Sequence, residues 1–368
     1  MPENRIKVRS PYYLKYSDSS LSYAELKIRI YSGSKTSGVS GTPKYTVKKY
    51  PIGSNNYVVF EIAELIRDYI DVEFNGTHNN DPVWVYAATE LFDSSDTKIG
   101  NTQNFYSYCY DGFNLFEEGI NYQTDPPVFI SDRVDTPTSE LTLYRPSGEI
   151  IVIPINADKA DANLTGYHYI LFPSDGSNST QIDVTSSDLT SNQIKYINLS
   201  SIYNKVEIWT KPPLLGTETK IYTVHIEEMP CNKHEAIKVT FCNRYGALQD
   251  LWFTARNTQS LKVESEEYKS SMVNFGTLSY SVTEHQQQVF NKQGVEKIIL
   301  NTGLVNEDYS LWMKELMLSE KVWMKKDGTT YPIKITSSNL TEKTSVNDKS
   351  FNYSIEAEYA FDKVQNIR

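Results

Sequence analysis

Cysteine is scarce: Cys109, Cys231 and Cys242 are the three in a chain of 368 residues. An odd and sparse set cannot close into a disulfide framework, and it points to reduced thiols in a cytosol-like compartment during folding. Long apolar runs are missing too. No stretch reaches the ~18 consecutive apolar residues of a membrane span, and the opening Met1-Pro2-Glu3-Asn4-Arg5 carries no apolar core of a signal peptide. No membrane association is expected. Clustered basic charge is likewise absent. The net charge is −10, with Lys and Arg dispersed along the chain. Neutralising phosphates requires clustered cations, so no specific nucleic-acid binding is expected.

Motifs for chemistry are also lacking. There is no G-x-S-x-G, no phosphate loop and no G-x-G-x-x-G. His225, Cys231, His234 and Cys242 are zinc-type ligands in a short stretch, but H-x5-C-x2-H-x7-C is not a regular zinc spacing. Buried thiols and scattered imidazoles are the simpler reading. Asn156, Asp158, Asp161 and Asn163 crowd one loop. They lack the glycine and the terminal glutamate of a calcium loop, and a solvated loop is expected there. Glu227-Glu228 and Glu266-Glu267 are adjacent carboxylates. Neighbours on a strand point to opposite faces, so each pair reads as a solvated edge rather than an acid–base couple. No catalytic, cofactor-binding or metal-binding residue is assigned, no cofactor is expected, and the chain is read as a non-enzyme.

What the sequence has in abundance is tyrosine, 27 residues, and a period-two alternation of apolar and polar side chains. Tyr suits half-buried sheet faces and assembly interfaces. Ile6, Val8, Tyr12, Leu14 and Tyr16 fall on one face and Arg5, Lys7, Arg9 and Lys15 on the other, the pattern of a strand with one wet face, broken by Pro11, which implies an edge or a bend. Leu26, Ile28 and Ile30 repeat the pattern. Ile62, Leu65, Ile66, Tyr69 and Ile70 follow a helical period instead, which predicts a short helix over 62–70. Adjacent prolines at Pro126-Pro127 mark a boundary. Eight short strands between 128 and 226 then predict an immunoglobulin-like sandwich. Further strands are expected at 236–241, 248–253, 275–282 and 351–361, with a helix over 306–319 capped by Asn306 and striped by Tyr309, Trp312, Met313 and Leu316. The expected fold is therefore mainly β and multi-domain, with β-sandwich (immunoglobulin-like) domains and a few short helices. The expected domains are 1–125, 126–226 and 227–368. Gly246 and Gly303 are read as turn positions that require φ > 0, and Trp312 and Trp323 as core anchors.

Several segments carry a resemblance. Phe241-Cys-Asn-Arg-Tyr-Gly-Ala-Leu-Gln-Asp-Leu-Trp-Phe253 resembles a segment of tail-associated virion proteins of crAss-like and related phages infecting Bacteroides-type bacteria. So do Leu300-Asn-Thr-Gly303, Trp312–Ser319 with Val322-Trp323, and Pro332–Ile335 with Phe351–Tyr359. Arg9-Ser-Pro-Tyr-Tyr13 and Ala24–Ile28 are similar to the opening of the same kind of protein. The match covers both ends well and the middle poorly. The resemblance implies a tail structural protein, of hub or neck-ring type, in a virion assembled in the host cytoplasm. It implies copies of itself in a ring around the DNA-ejection channel, and other tail or neck proteins, as partners. The polar stretches Ser32–Pro43 and Asp158–Thr165 are the expected contact loops. A receptor- or glycan-binding tail fibre or adhesin is the alternative.

Overall fold

The computed structural model describes residues 4–33, 39–79, 83–119, 128–130, 139–156, 166–183, 194–211, 217–229, 233–307, 309–341 and 351–364. Strands dominate at 53% against 6% helix, which makes the fold mainly β, as the period-two patterning predicts.

The N-terminal part contributes β1 (Asn4–Lys7), β2 (Tyr13–Ser17), β3 (Tyr23–Ser32), β4 (Tyr45–Lys49), β5 (Tyr57–Glu61), α1 (Ala63–Arg67), β6 (Val83–Phe92) and β7 (Lys98–Tyr110). Five of these strands form a sheet in the order β1-β7-β6-β3-β4, while β2 pairs with β5. Ala24, Leu26 and Ile28 of β3 alternate inward and meet Leu14, Phe60, Ile62 and Ile66 in one core. The helix is shorter than the predicted 62–70. Ile62 and Ile66 face the core, but Tyr69 lies past the helix end and is exposed.

The middle part contributes β8 (Ser139–Arg145), β9 (Ile151–Asn156), β10 (Gly166–Pro173), β11 (Thr180–Asp183), β12 (Ile194–Leu199), β13 (Tyr203–Lys211) and β14 (Thr219–Glu228). The sheet β11-β10-β13-β14-β8 is antiparallel except for the parallel pair β14–β8, and β9 pairs with β12 separately. Ile151, Ile153 and Ile155 of β9 share a core with Leu171, Ile208 and Val224 of the larger sheet. The arrangement is sandwich-like. Buried Arg145 ties down the neighbouring turn by donating to the carbonyls of Ser200, Ser201 and Tyr203 at 3.0, 2.6 and 2.9 Å.

The remaining elements are β15 (Ile237–Cys242), β16 (Leu248–Phe253), β17 (Thr258–Lys269), β18 (Gln287–Asn301), α2 (Tyr309–Leu318), β19 (Val322–Lys326), β20 (Thr329–Ile335) and β21 (Ser354–Tyr359). Their seven strands form one sheet in the order β16-β15-β19-β20-β21-β18-β17. Tyr309, Trp312, Met313 and Leu316 of α2 are buried, as the helical stripe predicts, but the helix starts at Tyr309 rather than after Asn306, whose buried side-chain oxygen accepts no hydrogen bond among the described residues and so does not cap it. The same apolar cluster runs from Val128 to Tyr359, so the middle and C-terminal sheets share a core.

Two local expectations are corrected. Residues 275–282 are not a strand but part of the turn region joining β17 to β18. Strand propensity there is overridden by Asn274, Gly276 and the positive φ of Leu278 (50°). Arg5 and Lys7 do not face solvent either; they are 7% and 4% exposed. Their face of β1 is roofed by aromatic rings. The Arg5 guanidinium lies 5.4 Å from the Tyr110 ring and 5.0 Å from Phe129, and the Lys7 ammonium lies 4.7 Å from Tyr245. Cation–π attraction is strongest when desolvated, which lets a charged face stay buried.

Candidate assembly interface

The residues with the chemistry of a site are dispersed or already engaged. His225 is half-exposed on β14 with its imidazole 3.9 Å from Glu140, whereas Cys242 is buried on β15 with its thiol 3.4 Å from the Asp111 carbonyl. His234 lies in the exposed segment before β15, and Cys231 lies outside the described residues. Burial pushes the Cys242 thiol well above its ordinary pKa, with Asp111 adding to the shift. Among the described residues no three His, Cys, Asp or Glu side chains are gathered to hold a metal. Of the candidate calcium loop, Asp158, Asp161 and Asn163 lie outside the described residues, and Asn156 ends β9. Glu227-Glu228 is exposed at the end of β14, and Glu266-Glu267 sits exposed on β17 opposite a bulge at Phe290 of β18.

One buried cluster has the residue types of a catalytic relay. His78 Nε2 lies 2.9 Å from Asp250 Oδ1, the Thr240 hydroxyl donates to that same oxygen at 2.6 Å, and the Lys238 ammonium lies 3.2 Å from Oδ2. Burial pushes the Asp250 carboxyl up, but His78, Lys238 and Thr240 outweigh it and hold the pKa below its ordinary value. A nucleophile must bond to its base, and here hydroxyl and imidazole both point at the carboxylate. The cluster fastens the segment around His78 to β16. Two open clefts of about 330 and 420 Å³ flank His234-Glu235. Their rims carry Arg256, Lys326, Lys325 and Glu235, unlike the mostly apolar lining of a small-molecule site.

The conspicuous motif Phe241–Phe253 is a hairpin with a buried turn. Asn243 organises it: its side-chain oxygen accepts from the N–H groups of Tyr245 and Ala247, both at 3.0 Å, and its amide donates to the Phe129 carbonyl at 2.6 Å. Gly246 has φ +78°, as the turn requires, and its backbone packs on Tyr110. The Arg244 carbonyl accepts from the Phe113 N–H at 2.9 Å, and its guanidinium reaches Glu118 at 2.8 Å. Nearby, Arg9 donates to the Leu318 carbonyl at 2.8 Å and Arg67 forks onto Glu320 at 2.7 Å. This turn joins the first sheet to the C-terminal module.

The surface departs from an ordinary one at β17 and β18. Every residue of β17 is exposed, and β18 enters the core only from Gly294 onward. β21 pairs with β18 over Lys297–Asn301 alone, and Lys363 adds one bond to the Gly294 carbonyl at 2.8 Å. From there the hairpin stands out as a two-stranded arm. At ~3.4 Å per residue it extends on the order of 35 Å. Its end, residues 270–283, has no charged side chain. Phe275, Leu278, Tyr280 and Val282 are 79%, 82%, 67% and 85% exposed. The polar groups between them bond to one another: Thr277 to Ser279 at 2.7 Å, Ser281 to Thr283 at 2.8 Å, and the Gly276 N–H to Asn274 at 2.9 Å. The tip therefore presents an uncharged surface with four large apolar side chains in water.

The contact loops expected from sequence are only partly described. Asp158–Thr165 lies outside the described residues, as do 34–38 of Ser32–Pro43; Tyr31 and Arg29 hold the carbonyls of Ser40 and Gly41 at 2.6 and 2.9 Å. The arm was not anticipated. The available signals were the charge-free run at 270–283 and the alternation of Leu261 and Val263 with Lys262 and Glu264. No helix among the described residues is long and apolar enough to cross a membrane, which says nothing of strands. No protein-family model matches the chain, and no curated protein matches it.

Proposed function

We propose that the chain is a non-catalytic structural subunit of a larger assembly, one of several identical copies in a ring-shaped tail hub or neck around the DNA-ejection channel of a short-tailed phage. The observation that carries the assembly reading is the β17–β18 arm, an extended ribbon with an apolar, uncharged tip and no core of its own. A two-stranded ribbon is marginal in water by itself, and exposed apolar tips of this kind mark contacts with other macromolecules. The resemblance of the two ends of the chain to tail-associated virion proteins supports the tail as the place of assembly. Large parts of the resembling segments lie in the buried turn, in α2 and in the C-terminal sheet. They are framework, as a structural subunit needs.

Single-particle mapping of the virion tests the reading. Several copies arranged about the tail axis are expected. A single copy per particle, or placement in the capsid shell away from that axis, refutes it.

A further inference from the structure

We infer that the arms of neighbouring copies pair edge to edge, β17 of one copy against β18 of the next, closing into a collar of antiparallel strands rimmed by the apolar tips. This rests on the assembly reading above and names its contact surface and partner, a second copy of this chain.

The first ground is the backbone. β17 is the outermost strand of its sheet, so its outer N–H and C=O groups have no strand beside them among the described residues. β18 is in the same condition before Gly294, where its pairing with the C-terminal segment ends. One hairpin thus presents two complementary edges. Long unpaired edges are a template for other strands, and closure of a barrel removes them. Because β17 and β18 are antiparallel, rotation about an axis along the arm sets β18 of one copy antiparallel to β17 of the next. Such a head-to-tail contact closes into a ring when the rotation fits.

Charge is the second ground. Over 262–269, β17 carries Glu264, Glu266 and Glu267 against Lys262 and Lys269; over 287–293, β18 carries Lys292 and no carboxylate. The facing edges therefore have opposite net sign. Area is the third. Two ribbons meeting along the free β18 edge over 287–293, ~24 Å of strand, together with tips that expose on the order of 500 Å² of apolar surface, approach the ~1,000 Å² that a specific contact needs.

A membrane fits less well. A lipid-facing strand needs one apolar face over ~9–11 residues. One face of the arm carries Lys262, Glu264 and Glu266, and the other Glu267, Lys269 and Lys292.

The test uses the full chain. Sedimentation velocity over a concentration series is compared for the wild type, for a chain with residues 265–292 replaced by Asn-Gly, and for Leu278→Asp. The replacement joins Glu264 to Gln293, which already face each other. Lysine cross-linking of mixed ¹⁴N and ¹⁵N protein then maps the contact. The expected result is a closed oligomer with inter-copy links from Lys262 or Lys269 to Lys292. Association should weaken at least ~tenfold in both variants, or about 1.4 kcal/mol, with unchanged melting temperatures. Wild type that stays monomeric up to its solubility limit overturns the proposal. So does wild type that floats with phosphatidylglycerol vesicles without self-association, or that forms only β17–β17 links. A shortened chain that associates as tightly as wild type also overturns it, but leaves the assembly reading standing, since the contact then lies elsewhere.

Discussion

Gly246→Ala tests the joint between the first sheet and the C-terminal module. Two separate costs meet at this position. The backbone is left-handed, at φ +78°, which disfavours any residue with a Cβ by ~1–2 kcal/mol. An added Cβ would also lie 2.7 Å from the Tyr110 Cβ and 3.2 Å from the Asp111 nitrogen. Neither neighbour is a flexible side-chain end, so backbone must move, at a further ~1–3 kcal/mol. The sum is about 3 kcal/mol. Gly148→Ala supplies the control. Its φ is +84°, but nothing lies within 4 Å of its added Cβ, so only the backbone cost of ~1–2 kcal/mol applies.

The partner position gives a second measurement. Gly112→Ala drives a Cβ into the Arg244 carbonyl oxygen and to within 3.1 Å of the Gly246 nitrogen. Because both substitutions push apart the same two backbones, the double variant should lose less than the sum of the singles. Urea unfolding measures all four variants, and amide exchange at Phe113, whose N–H bonds to the Arg244 carbonyl, reports on the joint itself. If Gly246→Ala costs no more than Gly148→Ala, and Phe113 keeps its protection, the two parts are not locked through this turn and the reasoning is wrong.

Trp312→Ala, which empties a side chain only 1% exposed and packed on Tyr309 at 5.1 Å, should destabilise the C-terminal module by ~3–5 kcal/mol in urea unfolding; a negligible change would mean that α2 yields its contacts freely. Glu90 is hydrogen-bonded by Lys98 and Lys27, which hold its pKa at about 2 against an ordinary 4.5. Its contribution is therefore complete above pH 4.5 and is lost as pH falls towards 2; after solvent screening it is worth ~1 kcal/mol. Stability of Glu90→Gln should lie that far below wild type at neutral pH and converge with it in acid; equal stability at neutral pH would count against the pairing. Removing divalent metal with EDTA should leave the melting temperature unchanged, and a clear drop with stoichiometric zinc in the untreated protein would restore a metal role for the His234–Cys242 region.

Much of the fold was legible because strand periodicity is local. Ile237–Cys242 and Leu248–Phe253 stand within a residue of where the apolar pattern puts them. The stripe of α2 is legible for the same reason, since Tyr309, Trp312, Met313 and Leu316 recur at helical spacing. Failures came where the environment is supplied from far along the chain. Arg5 and Lys7 read as a wet face, and only Phe129 and Tyr245, brought in by the fold, reveal the buried alternative. The arm failed for the opposite reason. Its strands have no sheet on either face, so alternation beyond Leu261–Glu264 lapses, and Glu266-Glu267 reads as no more than a solvated edge.

That same lack of a buried face shows what holds the arm in direction. β18 is one continuous strand from Gln287 to Asn301; its inner half places Ile298 and Leu300 in the core, and its outer half forms the arm. A load on the tip therefore passes along a strand, with no loop between arm and core. At the base, Asn301 donates to the Arg256 carbonyl at 2.6 Å, and the Thr254 and Thr302 backbones are bonded to each other. Gly303, at φ +82°, fits there because an added Cβ would lie 2.9 Å from the Thr254 hydroxyl. The arm is thus an outward extension of the C-terminal sheet, and its direction is fixed by the core that α2 closes. A subunit that must meet its neighbour along a ribbon has to fix that direction before contact, because an arm that swings pays the entropy of ordering on binding.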